Sequence, residues 1–389
     1  MATIPYRLGL QQRVFPAYRA AFFDALAAAC VGGLSVFSGE PMSGEALGKE
    51  GHLNIAQHVR GQNGYIGWGP LLTVWQQGLI DWLERWRPDV LIVEANPRNA
   101  SVNRAVRWMR RRGGCPVIGW GLGAPPVIRS IIPDSARRSG GRQRLLDYLN
   151  RFLTLSRSRF LAQFDALIAY SRTGANEYIA AGVPAERVFV APNAVTMRPT
   201  QPPPERPPDF GDDGPVVLFV GRLQQRKRVD ALLRACAALG EQGPRLVIVG
   251  DGPARAGFEA LAREIYPRAV FAGPRHGPEL APFFDSADLF VLPGTGGLAV
   301  QQAMSAGLPV MVAEADGTQA DLVRPENGWL LPPNDDEALT RALAEALSDP
   351  ARLRRMGRES YNIVVNEVNV ERMVEVFGEA VAYACAACR

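Results

Sequence analysis

The chain has 389 residues, 47% of them hydrophobic and 21% charged, with a net charge of +4 and five cysteines. Single cores stop growing at roughly 250–300 residues, so the length calls for two domains, and the composition excludes a disordered chain. No apolar run approaches the ~20 residues of a spanning helix. No N-terminal run reads as a signal peptide, and the scattered Cys30, Cys115, Cys236, Cys385 and Cys388 fit a reducing, cytosolic setting.

Along the chain, short β-branched runs alternate with helical stretches, the pattern of parallel α/β sheets. In the first half, strands are expected at 6–10, 34–37, 90–93, 117–120, 166–169 and 188–191, with helices at 18–29, 71–85, 102–112 and 142–164. The Gly-rich segment GHLNIAQHVRGQNGYIGWG (51–69) reads as irregular, with His52 and His58 lining a cleft. A proline-rich polar stretch, RPTQPPPERPPDFGDDGP, reads as a linker. The second half restarts with strands at 216–220, 245–249, 269–271, 289–292 and 309–313. Helices are expected at 229–239, 254–265, 279–286, 335–347 and from 351 onward. The expected organisation is an N-terminal domain over 1–196, a linker over 197–215 and a second domain over 216–365. A C-terminal helix over 366–389 would return to the first domain. The fold class is α/β: two Rossmann-like, doubly wound domains facing a central cleft.

Charge divides unevenly. Residues 1–200 carry 24 Lys and Arg against 13 Asp and Glu, and residues 201–389 carry 19 against 26. A basic half beside an acidic half points to a polyanionic partner. Only two lysines exist, Lys49 and Lys227, so their positions are informative. In the first half the arginine-rich stretches 104–112 and 137–159, interleaved with apolar residues, fit an anionic membrane surface. No nucleic-acid recognition module stands out.

Three strand-to-loop junctions of the second half carry glycine: Gly221-Arg-Leu-Gln-Gln-Arg-Lys227, Gly250-Asp-Gly-Pro253 and Pro293-Gly-Thr-Gly-Gly297. Parallel sheets place ligands at such carboxyl ends. The third loop opens an apolar helix, whose unpaired first amides and dipole suit a pyrophosphate, with Arg222 and Lys227 adding cations. Two cysteines with CxxC spacing at the chain end have no partner pair or histidine nearby, and no carboxylate or His/Cys cluster has metal-ligand spacing.

With VGRLQQRKRVDALLRA, VIVGDGP and FFDSADLFVLPGTGGLAVQQAMSAGLPV in this order, the chain resembles the retaining glycosyltransferases of family 4, of GT-B fold, over roughly 165–350. Upstream, GVPAERV and PNAV are similar to the segment that ends the family's first domain. The resemblance implies a nucleotide-diphosphate-sugar donor, transfer to a glycan or lipid-linked hydroxyl with retention, and no required cofactor or metal. It assigns acceptor binding to the domain over 1–196 and the nucleotide sugar to that over 216–365; with the cysteine usage and the basic first half, a cytoplasmic enzyme, peripheral on the inner membrane face, is expected. By this resemblance Arg222 and Lys227 hold the diphosphate and assist its departure. Gly250 and Gly252 form the turn beside the nucleotide, and Gly297 and Leu298 open the phosphate-facing helix. The family's two glutamates, seven residues apart, correspond to Gly294 and Gln302. Gln302 is left to bind ribose, and the amides of Thr295, Gly296 and Gly297 to bind the sugar. A histidine the family places after a central strand is absent from VIGWGLG (117–123). His276 stands near where the nucleobase would lie, as a loop residue.

In the first half, Glu94 at a strand end is the candidate to orient or deprotonate an acceptor hydroxyl, or else to cap a helix or pair with Arg98. His58, Asn96 and Arg98 are expected on the acceptor side, and Arg13 near the donor phosphates. Two alternatives stand beside transfer. One is a nucleotide-sugar binder that has lost catalysis, which the missing glutamates and histidine motivate. The other is an epimerase of the same fold, which would need acid/base groups that are sparse here.

Overall fold

The computed structural model describes residues 3–42, 51–67, 72–124, 156–210 and 214–387. The chain divides into two units, Met1–Asn193 with Val370–Arg389, and Ala194–Asn369.

The first unit contains β1 (Leu8–Val14), β2 (Leu34–Gly39), β3 (Gln57–Arg60), β4 (Gln62–Ile66), β5 (Thr73–Gln77), β6 (Val90–Glu94), β7 (Val117–Gly121), β8 (Ala166–Ala169) and β9 (Val188–Val190). Seven of these form one parallel sheet in the order β3-β2-β1-β6-β7-β8-β9. Its central strands are buried on both faces, which is why they read as continuous apolar runs. The helix Val370–Ala387 belongs to this unit, and its Phe377 packs edge-on against Trp120 and Phe22 at 5.1 and 4.9 Å. The expected C-terminal run from 351 is thus two helices, Pro350–Asn366 in the second unit and Val370–Ala387 in the first.

Several expectations for this half are corrected. The 51–69 segment is not irregular throughout, since β3 extends the sheet edge and β4 pairs antiparallel with β5. The helix expected over 71–85 is a strand, Thr73–Gln77, then a helix, Leu79–Trp86. Val74 and Gln76 alternate inward, and Gly78 at φ 81° breaks the chain between the two elements. The first strand runs through Gln11, Gln12 and Arg13 to Val14, because buried Gln11 and Gln12 are matched by buried Gln76. The basic stretch 137–159 and the helix expected over 142–164 lie mostly outside the described residues, as do Lys49 and Cys388.

The second unit contains β10 (Val216–Val220), β11 (Arg245–Val249), β12 (Val270–Gly273), β13 (Leu289–Leu292), β14 (Val310–Ala313) and β15 (Gly328–Leu331). They form a six-stranded parallel sheet in the order β12-β11-β10-β13-β14-β15. Strand order reverses between β10 and β13. Loops leaving those two ends diverge to opposite faces and open a crevice.

The proline-rich stretch belongs to this second unit and is held to it by side-chain hydrogen bonds in both directions. Arg206 donates to the carbonyls of Phe284, Ala287 and Ala306 at 2.9–3.0 Å and of Gly307 at 3.3 Å. These carbonyls lie at the ends of the helices Ala281–Asp285 and Leu298–Ser305, where no helical amide is left to pair with them. Arg354 donates to the carbonyls of Pro207 and Asp209, and Tyr361 to that of Gln201. Proline has no amide to donate, so the stretch cannot pair its own main chain, and side chains of the helix Pro350–Asn366 satisfy its carbonyls instead.

Candidate functional site

The loop 221–227 leaves β10 and the loop 293–297 leaves β13, at the point where the strand order reverses. Between them and the β11 loop opens a cavity of about 740 Å³, whose walls include Arg222, Arg226, Lys227, Gly250, Asp251, Gly252, Arg275, His276, Gly296, Gly297, Leu298 and Gln302. The three glycine-bearing junctions therefore meet in one place.

Main-chain packing explains several of the glycines. A Cβ on Gly250 would stand 1.9 Å from the Gly221 carbonyl oxygen, and one on Gly294 would stand 2.2 Å from the Arg226 oxygen. The loops after β10, β11 and β13 are pressed together backbone to backbone. Gly294 is buried, so position 294 offers the cavity no side chain and has no room for one.

The helix Leu298–Ser305 begins at Gly297 without a side-chain cap, so its first amides remain donors at the cavity wall. Beside them Lys227 Nζ donates to the Thr295 carbonyl at 2.6 Å. Burial, followed by the neighbouring Arg226, lowers the Lys227 ammonium to about 8, with Asp316 acting in the opposite direction. Arg226 and Thr295 clasp each other: the Thr295 amide donates to the Arg226 carbonyl at 3.0 Å, and Arg226 Nη1 donates to Thr295 Oγ1 at 3.0 Å. Gln319 is buried behind this loop. Its Oε1 accepts from the Ala315 and Asp316 amides, and its Nε2 has no partner among the described residues. That Nε2 lies 4.0 Å from where a Cβ on Gly297 would stand.

Of the residues expected at a donor, Arg222, Lys227, Gly250, Gly252, Gly296, Gly297, Leu298 and Gln302 line this cavity, and Thr295 holds its two neighbouring cations. Sequence reasoning missed Arg226, although it adjoins Lys227, as well as Asp251 and the orphaned Gln319. It also passed over Arg275, which lies beside His276 on the wall.

Arg13, Glu94, His58, Asn96 and Arg98 lie in the first unit. Glu94 ends β6, half-buried, and its amide donates to Gln11 Oε1 at 3.2 Å. Burial raises its carboxyl above the usual carboxylate range, while the Arg13 amide and the Arg13 and Arg19 guanidinium groups pull it down. Arg13 also donates to the Tyr65 hydroxyl at 3.1 Å. Asn96 takes the Arg98 amide on its Oδ1 at 3.1 Å, forming a small turn after β6. His58 stands on the edge strand β3, with β2 and β1 between it and β6; its Nε2 meets Ser38 Oγ at 2.9 Å and its ring packs on Phe15. No sequence signal marked Arg19, which is buried over Trp120 at 4.1 Å and donates to the Tyr170 hydroxyl at 3.0 Å.

Comparison with known proteins decides the nature of both halves. Residues 214–349 match the family model described as glycosyl transferases group 1, and residues 48–194 match that of the glycosyl transferase 4-like domain. These are glycosyltransferase domains. A GDP-mannose-dependent alpha-mannosyltransferase of Mycobacterium tuberculosis is 42% identical over 154 residues, covering 38% of this chain and 39% of that protein. A GDP-mannose-dependent alpha-(1-6)-phosphatidylinositol monomannoside mannosyltransferase of Mycolicibacterium smegmatis is 29% identical over 256 residues, covering 62% of this chain and 61% of that protein. The matches thus span 39–61% of the length of these relatives. Among solved structures, sucrose-phosphate synthase from Thermosynechococcus elongatus superposes with a TM-score of 0.67 at 20% identity, covering 98% of this chain and 99% of that one. The Anabaena HepE protein in complex with UDP gives 0.67 at 16% identity, covering 97% and 99%. The two parallel-sheet units have the GT-B glycosyltransferase fold. Among the described residues no three His, Cys, Asp or Glu are grouped to hold a metal ion, and no helix is long and apolar enough to cross a membrane.

Proposed function

We propose that the protein is a retaining glycosyltransferase that moves a sugar from a nucleotide-diphosphate donor to a hydroxyl of a glycan or lipid-linked saccharide, without a metal. The observation that carries this reading is the second unit's cavity, where Arg222, Lys227 and the uncapped start of the helix Leu298–Ser305 converge at the switch point of the sheet. A diphosphate brings two negative charges and oxygen acceptors to a site made of cations and free amides. Those same groups stabilise the diphosphate as it leaves, which is where charge builds during transfer. Gly250 and Gly252 would bring the nucleoside against main chain, Gln302 would offer its amide to the ribose, and Gly296 and Gly297 would present main chain to the sugar, whereas the amide expected from Thr295 is already given to the Arg226 carbonyl.

In this reading the departing phosphate oxygen accepts the acceptor's proton, so the first unit need only hold and orient the hydroxyl. Glu94, with Asn96 and Arg98 after it, is the candidate for that task, and its raised carboxyl suits a group that shares a proton with a hydroxyl. His58 would support the acceptor side, and Arg13 would face the donor phosphates. The helix Ala100–Arg111 carries exposed Arg104, Arg107 and Arg111, which would give this unit a cationic face for an anionic lipid acceptor or membrane surface, while Arg110 is paired with Asp165.

The reading is tested by incubating the protein with UDP-, GDP- and ADP-sugars, with and without EDTA, and monitoring the anomeric proton by NMR. Transfer or slow hydrolysis that gives the donor's own anomer first, with EDTA present, is the expected result. Products of the opposite anomer would refute retention. Release of an epimerised nucleotide sugar would favour the epimerase alternative.

A further inference from the structure

We infer that the sugar end of this cavity is built for a donor whose sugar is itself an anion, a nucleoside-diphosphate hexuronate; the inference rests on the donor-site reading above. A neutral hexose presents hydroxyls that both donate and accept, so a site for it supplies acceptors as well as donors. Around the 293–297 loop the two acceptors of Thr295 are already used. The Thr295 carbonyl is taken by Lys227 and Thr295 Oγ1 by Arg226. Position 294 has no space for any side chain, because its Cβ would collide with the main chain of Arg226 and Lys227. Beside the Gln302 amide, which both donates and accepts, the groups on the wall there are donors: the Arg226 guanidinium, held in place through Nε by Gln224 and through Nη1 by Thr295, the Lys227 ammonium and the helix amides, with the orphaned, buried Gln319 Nε2 behind them.

Charge gives the same answer. Arg222, Arg226, Lys227 and Arg275 line the cavity, against the single carboxylate of Asp251. Asp251 stands after β11, on the other side of β10 from the β13 loop, and it is engaged by the Gly252 amide at 2.8 Å. It therefore belongs to the nucleoside end of the crevice. A diphosphate diester supplies two negative charges; of the two cations fixed to the 293–297 loop, Lys227 has Asp316 acting on it, which leaves Arg226 for a further anion. A hexuronate carboxylate accepts from a guanidinium in the bidentate geometry that an arginine fork favours.

Calorimetry at pH 7 with UDP, GDP and the pairs UDP-glucuronate with UDP-glucose and GDP-mannuronate with GDP-mannose tests this. With the base the protein accepts, the uronate should bind about tenfold tighter than its neutral partner, close to one charge-assisted contact. Arg226→Gln, checked for folding by its thermal melt, should bring that ratio towards one. Equal or weaker binding of the uronates, with a free nucleotide bound, overturns this inference alone. An undiminished ratio in Arg226→Gln also overturns it. No binding of any nucleotide overturns the donor-site reading as well.

Discussion

Raising the pH from 7 to 9.5 should weaken nucleoside-diphosphate binding through one group, Lys227. In the free protein its ammonium loses its proton at about 8, below the ordinary 10.5, because it is buried beside Arg226. A bound diphosphate favours the charged form, so above pH 8 each binding event takes up a proton. The protonated fraction falls from about nine-tenths at pH 7 to about 3% at pH 9.5, so the affinity should fall about thirtyfold if the neutral amine contributes nothing. Titration calorimetry in two buffers of different ionisation heat reads both the affinity and the proton uptake. Lys227→Met should bind weakly at pH 7 and show no further loss on raising the pH. A flat affinity in the wild type, or a slope that persists in Lys227→Met, would refute the assignment of Lys227 to the phosphates.

Packing gives three further outcomes. Arg206→Met leaves four helix-end carbonyls without their guanidinium, and a loss of roughly 3 kcal/mol should lower the melting temperature of the second unit by ~10 °C in calorimetry. Gly294→Ala forces a Cβ into the Arg226 and Lys227 main chain. It should cost about 1–3 kcal/mol of stability and weaken nucleotide binding, read by denaturant unfolding and titration on the same sample. Arg19→Met removes a cation that lowers the Glu94 carboxyl, so the Glu94 titration, read by NMR of labelled glutamate, should move further up.

The sheet strands of the second half are legible in sequence because β10, β11, β13 and β14 are buried on both faces and stand out as unbroken apolar runs. The three ligand loops can be found for the same reason, since each one begins where such a run ends. Position 294 shows the limit of that reading. Its glycine can be counted in sequence, but the Arg226 backbone that forbids a side chain there is distant along the chain. Arg226 itself looks in sequence like any surface arginine, and only its clasp with Thr295 sets it apart. In the first half, β5 is a five-residue run, TVWQQ, that one glycine separates from the helix Leu79–Trp86, so it merges with that helix in sequence and only its pairing with β4 sets it apart. The anchoring of the proline-rich stretch is likewise invisible in sequence, because it depends on Arg206 and Arg354 meeting carbonyls of segments far apart along the chain.

The measurement that tests the central claim most directly is calorimetric titration of the wild type, Arg222→Ala and Lys227→Ala with UDP, GDP and ADP in EDTA. The account predicts that one nucleotide binds the wild type without metal and that each substitution weakens it at least about tenfold. Binding that survives both substitutions unchanged would place the diphosphate somewhere other than this cavity.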